Sequence, residues 1–209
     1  MLALGRRASD HVELLGTCFA VRKRLLATAL HIVGPDDTDL VVVRPKVAEA
    51  ADYQDTSDTR VDTVPVKVVA SDNFRDLCLL EIVDNSEIKF PYQISGSDET
   101  PPGNGVYIFG YPHANHGRMV FTTQPTTVGA RILVSNNGVK SKYLVVNTQT
   151  RPGQSGSPVF SSTTGNVCAV VMGSYAPGAP GISLGGIDPA TLHQTSHAIS
   201  AEYLKDMIL

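Results

Sequence analysis

The stretch Gly153-Gln154-Ser155-Gly156-Ser157-Pro158 decides how this chain is read. A reactive serine must stand on a tight turn with backbone N–H groups aimed at one point. Gly153 allows unusual backbone angles and the close approach of a ligand, and Gly156 relieves crowding directly after the serine. In this reading the N–H groups of Gly153 and Ser155 form an oxyanion hole. A serine hydroxyl is a weak nucleophile, so it needs a base, and the base needs an orienting carboxylate. Working outward, the candidate carboxylate is Asp76, which heads the apolar run Leu77-Cys78-Leu79-Leu80-Glu81-Ile82. The candidate base is His31, which ends Ala27-Thr28-Ala29-Leu30-His31 after the strand-like Leu25-Leu26-Ala27.

Each stretch alone has a plainer reading. Ser155 could be a solvated serine in a glycine-rich turn, Asp76 a turn residue, and His31 a core or surface histidine. Ser157 is a rival nucleophile, but Pro158 follows it where a small glycine would serve better. Asp72 is a rival carboxylate, separated from the apolar run by Asn73-Phe74-Arg75. The plain readings lose force together, because all three settings must then coincide in a fixed order.

The bulk properties narrow the classes. At 209 residues the chain can bury a core as one large domain or two small lobes. Hydrophobic residues make up 42% and charged residues 18%, as in soluble globular proteins, and no stretch approaches the ~20 apolar residues of a membrane span. The net charge of −3 offers no basic stripe, so neither nucleic acid nor anionic membrane is an expected partner. Cys18, Cys78 and Cys168 all lie in apolar runs, and an odd count argues against a disulfide framework. They are expected to be reduced and buried, and the N-terminus lacks the apolar core of a signal peptide, which together predict a cytoplasmic protein.

Short apolar runs separated by Gly, Pro, Asn, Asp and Ser predict an all-β fold. The expected strands are Glu13–Val21, Arg24–Thr28, Leu40–Val43, Val64–Ala70, Leu77–Ile82, Gly105–Gly110, Met119–Thr123, Gly129–Val134, Tyr143–Thr148, Pro158–Phe160, Val167–Met172 and His197–Ser200. The stretch from Pro45 to Asp62 reads as a loop, and Ala201–Leu209 as a helix capped by Ser200. The expected domains are a first lobe over 1–90, a linker over 91–104, a second lobe over 105–200 and the helix over 201–209. Five strands before the linker and seven after it fit two six-stranded antiparallel β-barrels if one first-lobe strand escapes recognition. His31 and Asp76 then belong to the first lobe and Ser155 to the second, with the active site between the barrels.

At this point the chain resembles the chymotrypsin-fold, or trypsin-like, serine proteases. Gly16-Thr17-Cys18-Phe19 through Ala27-Thr28-Ala29-Leu30-His31-Ile32-Val33 is similar to that family's histidine motif. Asp76-Leu77-Cys78-Leu79-Leu80 resembles its aspartate motif, Gly153 to Pro158 its serine motif, and Val106-Tyr107-Ile108-Phe109-Gly110-Tyr111-Pro112 a strand opening its second barrel. The resemblance covers nearly the whole chain and is greatest to bacterial HtrA/Deg-like and related trypsin-like peptidase domains. It implies a serine endopeptidase acting on protein or peptide through a His31–Asp76–Ser155 triad, without metal or organic cofactor. Ser155 Oγ should then lie within hydrogen-bonding reach of His31 Nε2, with Asp76 accepting from the other ring nitrogen. It also implies a specificity pocket with Gln149 at its base and Met172, Gly173 and Ser174 as its wall, near Ser196 and His197. None of these is acidic, so the residue before the cleaved bond is expected to be uncharged.

Departures from the family are informative. Secreted digestive members bridge cysteines around the histidine, whereas Ile32 follows His31 here and Cys18 has no partner there. Those members place an aspartate before the serine to pair with a freed N-terminus, and here that position is Gln154. No PDZ-like domain is expected on this reading, so HtrA-type peptide-regulated trimers are not implied. A rival class is a protease-fold effector or binding module gated by a partner, and the sequence leaves room for a regulatory partner or fused domain. His113-Ala114-Asn115-His116 has the spacing of two metal ligands but lacks a third, so a solvated loop is expected. Arg22-Lys23-Arg24 reads as a hairpin turn, and His11 and His193 carry no signal.

Overall fold

Leucine- and valine-rich runs pair as antiparallel strands because their side chains fill a pleated surface on one or both faces. In the computed structural model, described here for residues 1–47, 49–175 and 195–208, the strands form two closed six-stranded barrels. The first contains β1 (Leu2–Arg7), β2 (Val12–Arg22), β3 (Leu25–Ala29), β4 (Leu40–Val43), β5 (Thr63–Asp72) and β6 (Leu77–Ile82), ordered β1-β2-β3-β6-β5-β4. One helical turn, α1 (Leu30–Val33), follows β3. The second barrel contains β7 (Gly105–Gly110), β8 (Thr122–Asn136), β9 (Val139–Val146), β10 (Pro158–Ser161), β11 (Val167–Tyr175) and β12 (Thr195–Ser200), ordered β10-β11-β12-β9-β8-β7. A short helix, α2 (Tyr203–Met207), follows it.

Strand β6 shows why its sequence is apolar at nearly every position. Cys78, Leu80 and Ile82 point into the first barrel with Leu4, Cys18, Leu26 and Val42. Leu77 and Leu79 point the other way, into an apolar cluster with Val167, Val170 and Ile199 of the second barrel and Leu204 of α2. That second cluster glues the barrels together. Val106, Ile108, Leu144, Val159 and Ala198 fill the second barrel. All three cysteines are free and buried, and burial pushes the Cys18 and Cys78 thiols up to about 12 and Cys168 up to about 11.

The strand that escaped the sequence reading is β1, whose residues Leu2 to Gly5 are all buried and so show no alternation. The seventh expected strand of the second lobe does not exist separately. The Gly129–Val134 strand and the last two residues of the Met119–Thr123 one are parts of the fifteen-residue β8, whose register shifts by a bulge between Val128 and Ala130. Helix α2 is shorter than expected, and Leu209 lies outside the described residues. Glu202, not Ser200, occupies its N-cap position. Ser200 ends β12, where its hydroxyl donates to Glu202 and accepts from the Ser97 N–H, so it is not free to cap.

Candidate active site

Asp76 adopts a left-handed backbone, φ 58°, at the entry to β6. Aspartate tolerates that conformation better than most residues. The turn lets Asp76 grip α1 in three ways. Its carbonyl accepts from Leu30 N–H at 2.8 Å, its Oδ1 from His31 N–H at 2.8 Å, and its Oδ2 lies 2.5 Å from His31 Nδ1. A carboxylate can only accept, so Nδ1 carries a proton and donates to Asp76 Oδ2. His31 is 44% exposed and Asp76 36% at their side chains, so the pair is open to solvent.

The serine turn can be accounted for bond by bond. The carbonyl of Pro152 accepts from His113 N–H, that of Gly153 from Thr17 Oγ, that of Gln154 from Ser157 N–H, and that of Ser155 from Thr17 N–H. The N–H groups of Gln154, Gly156 and Ser157 donate to Arg151, Val171 and Gln154 carbonyls. Across residues 152–157 only the N–H groups of Gly153 and Ser155 have no acceptor among the described residues. The expected oxyanion donors are thus the pair the turn leaves unengaged.

Both flanking glycines are required by their surroundings. Gly153 has φ 90°, and a Cβ there would lie 2.5 Å from Tyr111 O and 2.6 Å from Ala114 N. Gly156 has φ 81°, and its Cβ would lie 2.2 Å from Thr17 O. Ser157, the rival nucleophile, is fully buried against Gly110 and offers nothing to the cleft. Asp72, the rival carboxylate, is occupied by Arg75 and the N–H groups of Phe74 and Arg75.

One expectation needs correcting. Ser155 Oγ donates to the Met172 carbonyl at 3.3 Å, and it makes no hydrogen bond to His31. The hydroxyl can rotate about the Cα–Cβ bond, and here it is turned to a carbonyl on β11.

Gln154 is buried and held by an amide chain. Its Oε1 accepts from Arg151 N–H at 2.7 Å, and its Nε2 donates to Gln124 Oε1 at 3.1 Å. Gln124 in turn donates to Thr148 Oγ1 at 2.5 Å. A neutral network occupies the place where an ion pair with a freed N-terminus was absent from the sequence. Gln124 and Thr17 carry no local motif and were missed by sequence reasoning, although Thr17 stands within the stretch that resembles the histidine motif.

Of the expected pocket residues, Gln149 accepts from the Arg151 guanidinium at 2.5 Å. Ser174 Oγ lies 3.3 Å from Thr150 Oγ1, which also accepts from Ser196 Oγ at 3.1 Å. Gly173 has φ 150° and pairs with His197 across the sheet. Met172 contributes its carbonyl to Ser155. Neighbouring strand residues face opposite ways, so His197 lies on the face away from the Ser196 hydroxyl, with its ring 6.5 Å from that of Tyr143. Burial lowers the His197 pKa. His113 and His116 have rings 6.3 Å apart, and among the described residues no group of three ligands could hold a metal. His193 lies outside the described residues.

A family model described as trypsin-like peptidase domain matches residues 16–170. No curated protein sequence matches the chain. Among solved structures, the MamO protease domain from Magnetospirillum magneticum in its apo form superposes with a TM-score of 0.70 at 14% identity, covering 100% of this chain and 94% of that one. The Rv3671c protease from M. tuberculosis in its active form gives 0.65 at 19% identity, covering 98% and 77%. The HtrA-type protease AlgW, solved with a decapeptide, gives 0.63 at 16% identity, covering 93% and 50%. At these identities the likeness is one of fold.

Proposed function

From a chain that belongs to the trypsin-like peptidase domain family, we infer a serine endopeptidase working through an acyl-enzyme on Ser155. The observation that carries this reading is Asp76's threefold hold on the His31 turn, across the cleft from a serine whose turn leaves only two N–H groups unengaged. Substrate entering the cleft displaces the Ser155 hydroxyl from Met172 toward His31 Nε2. Catalytic hydrogen bonds are commonly loose or misaligned in an empty site and tighten when it fills. Nε2 takes the hydroxyl proton as Oγ attacks the peptide carbonyl. The N–H groups of Gly153 and Ser155 take the developing negative charge. The imidazolium, steadied by Asp76, gives its proton to the leaving amine, and water then cleaves the ester by the same steps in reverse order.

Specificity follows from the groups around Gln149. A Lys or Arg side chain would meet hydroxyls and amides without a carboxylate, beside the Arg151 guanidinium. Burying an unpaired cation there is costly, so an uncharged residue before the cleaved bond is favoured. The three free cysteines are compatible with a reducing compartment, and we assign the protein to the cytoplasm.

The rival reading, a module gated by a partner, has one observation in its favour, the resting Ser155–Met172 bond. Reaction with a serine-directed fluorophosphonate separates the two. The isolated protein should label at Ser155, and the Ser155→Ala variant should not. Labelling that needs an added partner would favour gating, and equal labelling of both proteins would reject Ser155 as the nucleophile. A mixed peptide library then tests the pocket, and dominant cleavage after Lys or Arg would reject its assignment.

A further inference from the structure

We propose that Thr17 is a positioning residue for the oxyanion hole, acting from the first barrel on a turn that belongs to the second. The inference rests on the reading of Ser155 as nucleophile. Thr17 is fully buried in β2, in an otherwise largely apolar setting of Cys18, Phe19 and Ala20. Its hydroxyl is used in both directions, donating to the Gly153 carbonyl at 2.9 Å and accepting from Tyr111 N–H at 3.1 Å. Its N–H donates to the Ser155 carbonyl at 3.0 Å. One residue therefore fixes two of the four carbonyls of the serine turn, from 136 positions away along the chain for the hydroxyl contact.

A peptide unit is rigid, so holding its carbonyl sets the direction of its N–H. Thr17 holds the Gly153–Gln154 unit and the Ser155–Gly156 unit. The alternate units, Pro152–Gly153 and Gln154–Ser155, carry the two candidate oxyanion N–H groups and are held at their carbonyls by His113 and Ser157. With all four carbonyls held, Gly153 and Ser155 N–H remain directed away from every protein acceptor described. Release the Gly153 carbonyl and its unit can turn, carrying the neighbouring N–H groups out of register. The surroundings admit this threonine at a cost in side chains elsewhere. A Cβ on Gly110 would lie 3.0 Å from its hydroxyl, and one on Gly156 would lie 2.2 Å from its carbonyl. The Thr28 hydroxyl donates to that same carbonyl at 2.7 Å and fixes Thr17 from behind.

The test compares the native protein with Thr17→Val, which keeps the shape and removes the hydroxyl, and with Thr17→Ser, which keeps the hydroxyl. Two readouts are taken, the second-order rate of fluorophosphonate labelling and amide exchange of residues 152–157 by mass spectrometry. Removing an oxyanion donor outright costs 100- to 1000-fold in other enzymes, so an indirect loss should slow Thr17→Val labelling about 10- to 100-fold. Thr17→Ser should stay within about threefold of native. Exchange over 152–157 should quicken in Thr17→Val alone, at a temperature where all variants are folded. If Thr17→Val does not fold, Thr17→Cys, a weak donor of similar volume, takes its place with the same expectations. Labelling and exchange of the valine variant equal to native would overturn the proposal, as would a serine variant as slow as the valine one. If Ser155→Ala still labels, the nucleophile assignment fails instead, and the exchange comparison alone decides whether Thr17 holds the turn.

Discussion

Replacing Gly153 by alanine should disable the site while leaving the barrels assembled. The φ of 90° at this position costs an L-residue about 1–2 kcal/mol. The added methyl would stand 2.5 Å from Tyr111 O and 2.6 Å from Ala114 N. Both are backbone atoms, so no side chain can swing aside. Reaching an ordinary carbon–oxygen distance near 3.3 Å requires a shift of about 0.8 Å in either the 111–114 segment or the serine turn. The turn carries Ser155 and both oxyanion donors, and a displacement of that size costs roughly 100-fold in rate. Strain and crowding together amount to about 2–5 kcal/mol, enough to lower the melting temperature by about 5–15 °C in a chain of this size. Gly165 supplies the control, because it has φ 70° with nothing within 4 Å of its Cβ. Gly165→Ala should lose about 1–2 kcal/mol of stability and no reactivity. The assay is fluorophosphonate labelling rate beside thermal unfolding. If Gly153→Ala labels as fast as Gly165→Ala, the close packing behind the turn does not govern its geometry and the reasoning fails.

Other outcomes follow from the same contacts. Asp76→Asn should keep the left-handed turn but favour the wrong His31 tautomer, lowering the rate of peptide or ester hydrolysis about 10⁴-fold, as the equivalent change does in serine proteases generally; near-native activity would exclude Asp76 from the mechanism. Gln154→Ala breaks the amide chain to Gln124 and should lower labelling about tenfold with little change in the barrels' circular dichroism, since it removes buried hydrogen bonds beside the turn. The native thiols should resist a disulfide reagent at pH 8, and all three should react after denaturation, because their pKa values stand well above the usual 9.0. The same shifts fix a pH dependence. Below pH 9 the thiols are protonated whether the chain is folded or not, so their contribution is fully present. Between 9 and about 12 only the unfolded chain loses the proton, so stability falls as pH rises through that window. Denaturant midpoints at pH 8 and 10.5 should separate less in a Cys18→Ala variant than in the native protein, and an equal separation would contradict this assignment.

The strands that read most clearly are those with one simple burial pattern. Leu77–Ile82 and Gly105–Gly110 were bounded to the residue, because turn residues stop the apolar run at each end. Strand β1 was hidden by burial on both faces over Leu2–Gly5, followed by Arg6 and Arg7, which read as a polar end. Strand β8 was divided because Pro125 and Gly129 are ordinary strand breakers. Here Pro125 sits opposite Tyr107 within the ladder, and the bulge beside Gly129 absorbs the irregularity. At the site, His31 and Asp76 were legible because each sits at the junction of an apolar run and a turn. The resting direction of the Ser155 hydroxyl was not, since a single rotatable bond leaves no trace in sequence. Nor was Thr17, whose partners Gly153 and Tyr111 lie far along the chain and are met only once both barrels have closed.

The bonds from Thr17 to the serine turn cross the seam between the barrels, with the His31 turn on the first barrel's side and Ser155 on the second's. A displacement of the barrels would therefore act on the proposed base, nucleophile and oxyanion donors in one stroke. Loss of activity on loosening should be abrupt, because no single part can drift while the others keep working. On this reading, a compound wedged into the seam would slow labelling at Ser155 without occupying the site, and mutational damage far from Ser155 would look catalytic in every assay except one that measures how firmly the two halves are seated.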